Sequence, residues 1–143
     1  VPEGEYLIPL GLAEIKRKGA DVTIVSFGKI IKEAYKAADV LSKEGIECEI
    51  IDLRTVRPMD HKTILDSVRK TNRLVILEEA WPFGNVATEI TYQVQEQAFD
   101  YLDAPIIKIN TADTPAPFSP VLLEEWIPNS DDVINAVKKV LYK

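Results

Sequence analysis

A single cysteine, a single histidine and six glycines in 143 residues leave little material for several kinds of chemistry. Cys48 has no second cysteine to pair with, which excludes a disulfide frame and a cysteine metal cluster. It lies inside the strand-like run "ECEIIDL", where a core thiol is the expected role. Glycine is too sparse for a dinucleotide loop, which needs several glycines to bring backbone amides up to a pyrophosphate, whereas "SFGKII" offers one. No GxxxxGK[ST] run is present to cradle a nucleotide triphosphate, and no GxSxG turn exposes a serine nucleophile. Basic runs are also missing. The 17 lysines and arginines are scattered and the formal net charge is -6, a balance that repels phosphate backbones and argues against a nucleic-acid partner. Charge interrupts every apolar stretch within about ten residues where about twenty are needed to cross a bilayer, so no membrane span is expected.

What is present fits one compact domain over residues 1–143, since 46% of the residues are hydrophobic and 28% charged. The opening "VPEGEYLIPLG" has no initiating methionine, basic leader or small-residue cleavage site, and is read as the start of a domain excised from a longer chain. "DVTIVSF" predicts a strand that gives way at Gly28 to a helix with Ile30, Ile31, Ala34, Tyr35, Ala38 and Leu41 on one face, ended by Gly45. "ECEIIDL" predicts the next strand. After the turn "RTVRPMD" comes a helix capped by Asp60, with Ile64, Leu65 and Val68 inward. "RLVILEE" is a third strand, and a helix from about Val86 to Tyr101 carries Val86, Ile90, Val94 and Ala98 on one stripe. "PIIKINT" is a fourth strand, followed by an irregular extended stretch imposed by Pro115, Pro117, Pro120 and Pro128, and "NSDDVINAVKKVL" closes as a capped helix. Strands rich in Val and Ile that alternate with helices predict an α/β/α sandwich around a mainly parallel sheet of about five strands. The segment "LAEIKRKG" supplies one antiparallel edge strand.

Ligands of such sheets sit outside the carboxyl ends of the strands, which here carry Ser26, Gly28, Arg54, Arg57, Glu78, Glu79, Thr111 and Asp113. His61 is the only histidine available for acid–base work, and its place in the first turn of a helix predicts a solvated side chain. Glu78 and Glu79 could share a raised proton or join Asp113 at a metal, but neighbouring residues at a strand end face opposite ways. The expectation is that one of them pairs with a cation such as Arg54 or Arg57. The arginines of "RTVRP" are read as ties between loops rather than as an anion clamp. Trp81, Pro82 and Phe83 are large apolar groups in a loop, which predicts a subunit contact.

Five segments in order, "IPLGLAEIKRKGADVTIVSFG", "EGIECEIIDLRTVRPMD", "VRKTNRLVILEEAWPFGNVATEI", "FDYLDAPI" and "ADTPAPFSPVLLEEWIPN", span nearly the whole chain. In these the sequence resembles the C-terminal domain of the β subunit of thiamine diphosphate-dependent 2-oxo acid dehydrogenases. "RPMD", "EEAWPFG" and "ADTPAP" favour the pyruvate-specific members over the branched-chain ones.

The resemblance implies a transketolase C-terminal-like fold within an enzyme that decarboxylates a 2-oxo acid on thiamine diphosphate and passes the acyl group to a lipoyl arm. It further implies that thiamine diphosphate and magnesium are held by the α subunit and by the β subunit's N-terminal domain, which also supplies the catalytic histidine. His61 does not inherit that role, and no catalytic, cofactor or metal residue is expected in this chain. What the family implies for this domain is pairing with a second β subunit, support of an α2β2 assembly with the α subunit, and docking on the peripheral subunit-binding domain of dihydrolipoyl acetyltransferase. For docking the family uses an aspartate of its "LDAP" segment, here Asp103, and the carboxylate of its last residue, here Lys143. That terminal residue is usually apolar in the family, so Lys143 departs from the pattern. Glu78, Glu79, Trp81, Pro82 and Phe83 are the expected subunit-contact residues. The implied location is the bacterial cytoplasm, or the mitochondrial matrix for a eukaryotic source. Two alternatives stand beside this: another transketolase-like enzyme, such as the branched-chain dehydrogenase or deoxyxylulose phosphate synthase, and a stand-alone receiver-like or flavodoxin-like module. The last would need an acidic phosphorylation cluster or a hydroxyl-rich phosphate loop, and neither "DLRTVRP" nor "SFGKII" supplies one.

Overall fold

The computed structural model describes residues 3–143. Strands β1 (Glu14–Arg17), β2 (Val22–Ser26), β3 (Cys48–Asp52), β4 (Leu74–Leu77) and β5 (Ile107–Ile109) form one sheet in the order β1-β3-β2-β4-β5. All neighbours pair in parallel except β1, which runs antiparallel to β3 at the edge. This is the arrangement that buried, non-alternating strands predict. Gly19, between β1 and β2, is required by close approach: a Cβ there would stand 2.2 Å from the carbonyl carbon of Cys48.

Helices α1 (Ile31–Lys43) and α5 (Ser130–Val140) cover one face of the sheet, while α2 (His61–Thr71) and α3 (Val86–Ala98) cover the other. The alternation of each strand divides its residues between two cores. Val22, Ile24, Ile50, Val75 and Leu77 pack with Ala34, Ala38, Leu41, Val133 and Val137, whereas Val25, Ile51, Leu74 and Ile76 pack with Ile64, Val68, Ile90 and Val94. The caps are those the sequence offers. Asp60 accepts from the Thr63 backbone, Asn85 accepts from the Thr88 backbone, and Asn129 closes α5 in a reciprocal capping box with Asp132. Gly45 takes a positive φ of 76° just beyond α1.

Three boundaries differ from expectation. The buried stripe is Ala87, Ile90, Val94 and Ala98, with Val86 only partly buried beside it where it was expected to head the stripe; it ends with α3 at Ala98, and Phe99–Tyr101 tighten into a 3-10 turn, so Tyr101 does not belong to the α-helix. The stretch after β5 is not wholly irregular, because Pro120–Trp126 form a short helix, α4. Pro120 stands in its first turn, where the missing N–H costs nothing, so the proline starts this helix instead of preventing one. The strands β4 and β5 are also shorter than "RLVILEE" and "PIIKINT", since their ends turn into the loops that carry the candidate site.

Beneath α2 lies a buried polar network. The Glu49 carboxylate accepts from Ser67 Oγ at 2.6 Å and is paired with Lys70, and Thr23 Oγ1 lies 2.6 Å from both Ser67 Oγ and Thr71 Oγ1. Glu49 is 1% exposed, and these partners supply the hydrogen bonds that water cannot.

Candidate functional site

At the carboxyl end of β4 the chain turns outward through Glu78 to Asn85. Glu78 follows Leu74 and Ile76 on the face beneath α3, and Glu79 points the other way to solvent. The Glu78 side chain is 0% exposed. Both its oxygens lie 3.3 Å from the backbone N–H of Ala87, in the first turn of α3, and Asn110 Nδ2 donates to Oε1 at 2.9 Å. Burial pushes the carboxyl above the ordinary glutamate range, while the Asn110 amide, the Ala87 N–H and the Lys108 charge pull it down.

Above this buried carboxylate the loop is braced on several sides. Trp81 Nε1 and Trp126 Nε1 both donate to the carbonyl of Thr114, at 3.1 and 2.9 Å. Lys108 Nζ donates to the Pro82 carbonyl and to Thr88 Oγ1, each at 3.0 Å, and Asn85 Nδ2 donates to the Trp81 carbonyl at 2.6 Å. The bracing leaves the aromatics outside: Trp81 is 54% and Phe83 90% exposed, and Phe118, Val121 and Leu122 are exposed on the segment entering α4. A loop held this firmly presents its apolar groups in one arrangement.

The remaining strand-end residues do not converge on a cavity. Arg54, at a φ of 57°, pairs with Glu14 of β1, and Arg57 is exposed. The expected pairing of Glu78 or Glu79 with one of these arginines is therefore corrected: Glu78 is satisfied by amides, and neither glutamate has an ion-pair partner among the described residues. Being wholly buried, Glu78 also has no surface to offer a second subunit, and it acts from below as the anchor of the loop. His61 opens α2 beside a shallow groove of about 740 Å³ that it shares with Val56, Arg57, Pro58, Met59 and Glu89. Burial raises the Cys48 thiol to about 12, as suits a core residue. Among the described residues no three His, Cys, Asp or Glu side chains gather as a metal site requires, and no helix is long and apolar enough to cross a membrane.

A second corner gathers the other two residues singled out by sequence. Asp103 is exposed between the 3-10 turn and β5, as expected, but it already has a partner: Arg73 Nη2 lies 3.1 Å from Oδ2. The hydroxyl of Tyr142, next to Lys143, donates to the Asp103 carbonyl at 3.1 Å, so the end of the chain lies against the "LDAP" segment. Beside Asp103 runs an apolar groove of about 460 Å³ lined by Phe99, Leu102, Pro105 and Ile106. Sequence reading missed Arg73, Lys108, Asn110 and Tyr142, all of which work through contacts that only the folded chain brings together.

Comparison with known proteins fits this geometry. The model of the transketolase C-terminal domain family matches residues 11–133. The chain is 51% identical over 142 residues to the pyruvate dehydrogenase E1 component subunit beta of Rickettsia felis, covering 99% of this chain and 44% of that protein. It is 46% identical over 136 residues to the mitochondrial pyruvate dehydrogenase E1 component subunit beta of Dictyostelium discoideum, covering 95% and 38%. It is also 46% identical over 141 residues to the acetoin:2,6-dichlorophenolindophenol oxidoreductase subunit beta of Bacillus subtilis, covering 99% and 41%. The chain thus spans less than half the length of the curated relatives it matches. Among solved structures, an inactive β4 tetramer of a split-gene transketolase superposes with a TM-score of 0.83 at 28% identity, covering 96% of this chain and 44% of that one.

Proposed function

Since the chain belongs to the transketolase C-terminal domain family, we propose that it is the C-terminal domain of the β subunit of a pyruvate dehydrogenase decarboxylating component, serving subunit assembly and docking. The observation that carries this reading is the 51% identity, nearly end to end, to a pyruvate dehydrogenase β subunit. The whole enzyme would decarboxylate pyruvate oxidatively and transfer the acetyl group to lipoyl groups. Thiamine diphosphate supplies that chemistry by stabilising a carbanion. The residues described here do not fit the cofactor: Gly28 stands alone at the end of β2, no acidic cluster among the described residues could hold magnesium, and the arginines of β3's loop are dispersed. The cofactor is therefore assigned to the remainder of the β subunit and to the α subunit.

Trp81, Pro82 and Phe83, with Glu79 at their edge, would face the second β subunit of an α2β2 assembly. Asp103 and the end of the chain at Lys143 would face the peripheral subunit-binding domain of dihydrolipoyl acetyltransferase. The enzyme would work in the cytoplasm of a bacterium or in the matrix of mitochondria, a reading supported by one relative that is bacterial and another whose name is mitochondrial.

The test is reconstitution of the β subunit containing this chain with its α subunit and an assay of 2-oxo acid decarboxylation. Turnover of pyruvate is expected to exceed that of branched-chain 2-oxo acids. A second reading, with acetoin as substrate, is favoured by the 46% identity to the Bacillus subtilis subunit. Acetoin has no carboxyl group to lose, so it is compared with pyruvate by the reduction of 2,6-dichlorophenolindophenol; faster dye reduction with acetoin would replace pyruvate by it.

A further inference from the structure

The corner that holds Asp103 and the end of the chain is built around one arginine that no sequence motif marks. Arg73 enters β4, where its backbone carbonyl accepts from Thr23 N at 2.9 Å. Its guanidinium then serves two other elements at once. Nη2 meets Oδ2 of Asp103 at 3.1 Å, and Nε donates to the carbonyl of Val140, the last residue of α5, at 3.1 Å. The backbone of Asp103 is fixed from both sides, its N–H donating to the Asn72 carbonyl at 2.9 Å and its carbonyl accepting from the Tyr142 hydroxyl at 3.1 Å. The pair is also oriented. The arginine side chain is 25% exposed and the aspartate 55%, so the acid faces outward over its covered partner. Only Oδ2 of Asp103 is engaged, and Oδ1 has no hydrogen-bond partner among the described residues.

We infer that Arg73 is a positioning residue for docking: it locks the Asp103 carboxylate and the C-terminal turn into one geometry, so that Oδ1 is presented to a basic side chain of the partner. This rests on the docking role proposed above. A planar guanidinium can hold a carboxylate and a carbonyl on different elements together, whereas a lysine ammonium is a point charge on a flexible stem and would hold one of them. Two effects oppose each other. The arginine charge repels an incoming cation, and since a cation on Oδ1 stands within about 8 Å, the screening length at physiological salt, that repulsion offsets part of the gain. The ordering of the carboxylate and of the chain end is not screened, and it removes a cost that the complex would otherwise bear on binding.

The experiment measures, by calorimetry, the affinity of the α2β2 assembly for the acetyltransferase's subunit-binding domain at a temperature well below melting. The variants are Arg73→Met, Arg73→Lys, Asp103→Asn and the Arg73→Met/Asp103→Asn double. Immobilising one flexible side chain corresponds to about a two- to tenfold change in affinity, so Arg73→Met is expected to weaken docking by that factor. Arg73→Lys should recover only part of the loss, and in the Asp103→Asn background Arg73→Met should change nothing further. Tighter or unchanged binding by Arg73→Met, or an equal loss in both backgrounds, overturns the inference and leaves the docking role standing. Unchanged binding by Asp103→Asn overturns the docking role itself.

Discussion

Replacing Glu78 tests the anchoring of the exposed loop. Truncation to alanine strands the buried Ala87 N–H and unpairs the Asn110 amide, which is half-buried and can turn to water. A stranded buried donor costs about 1 to 3 kcal/mol, which sets the loss for Glu78→Ala. At about 3 °C per kcal/mol for a domain of this size, the melting temperature should fall by roughly 3 to 9 °C. The pH dependence carries a definite sign. Burial raises the folded-state pKa of Glu78 above its unfolded value, so the folded state binds the proton more tightly. The stability this supplies is fully present below the unfolded pKa of about 4.3 and is lost as pH rises through the raised folded value. Glu78→Gln cannot titrate, and its stability relative to wild type should therefore improve as pH increases across that window. Thermal unfolding followed by circular dichroism from pH 4 to 8 reads both effects. A Glu78→Ala variant within 1 kcal/mol of wild type, or a Glu78→Gln variant whose stability tracks wild type at every pH, would refute the anchoring role.

Other expectations follow from the same contacts. Lys70→Met leaves the buried Glu49 carboxylate with only its hydroxyl partner; because Lys70 is itself half-exposed, the loss should be about 1 to 3 kcal/mol, below that of a fully buried pair, and urea unfolding will measure it. Cys48, with its thiol raised to about 12 and no exposure, should react with a thiol reagent only at the rate of unfolding, and fast native-state labelling would contradict its place in the core. If the proposed α2β2 assembly holds, Trp81→Ala together with Phe83→Ala should weaken it in sedimentation while shifting the domain's own melting little, because Phe83 is 90% exposed. A sharp fall in melting with assembly unchanged would make the two aromatics part of the core.

The layers and strand directions were legible because β2, β3 and β4 are buried on both faces and α1, α2, α3 and α5 on one. Val22, Ile24 and Val25 leave no polar side to a strand, and Ile64, Leu65 and Val68 leave only one buried side to a helix. The caps at Asp60 and Asn129 act within four residues, a range over which sequence and structure nearly coincide. What escaped reading depends on distant partners. Adjacency showed that Glu78 and Glu79 must face opposite ways, but choosing the buried one required continuing the Leu74–Ile76 face under α3. Glu49 looked like one polar letter in a strand, and its partners Ser67 and Lys70 come from a helix whose register the sequence does not print. Arg73 likewise gains its role from the Asp103 loop and the end of α5 meeting at one point.

The proposed division of labour between this domain and the rest of a pyruvate dehydrogenase is tested most directly by calorimetric titration of thiamine diphosphate with magnesium into the isolated chain, beside the same titration into the proposed α2β2 assembly. The account predicts saturable binding by the assembly and no measurable heat of binding with the isolated chain, whose strand ends offer no diphosphate loop and no carboxylate cluster. Micromolar affinity in the isolated chain would contradict it and move the cofactor site onto these residues.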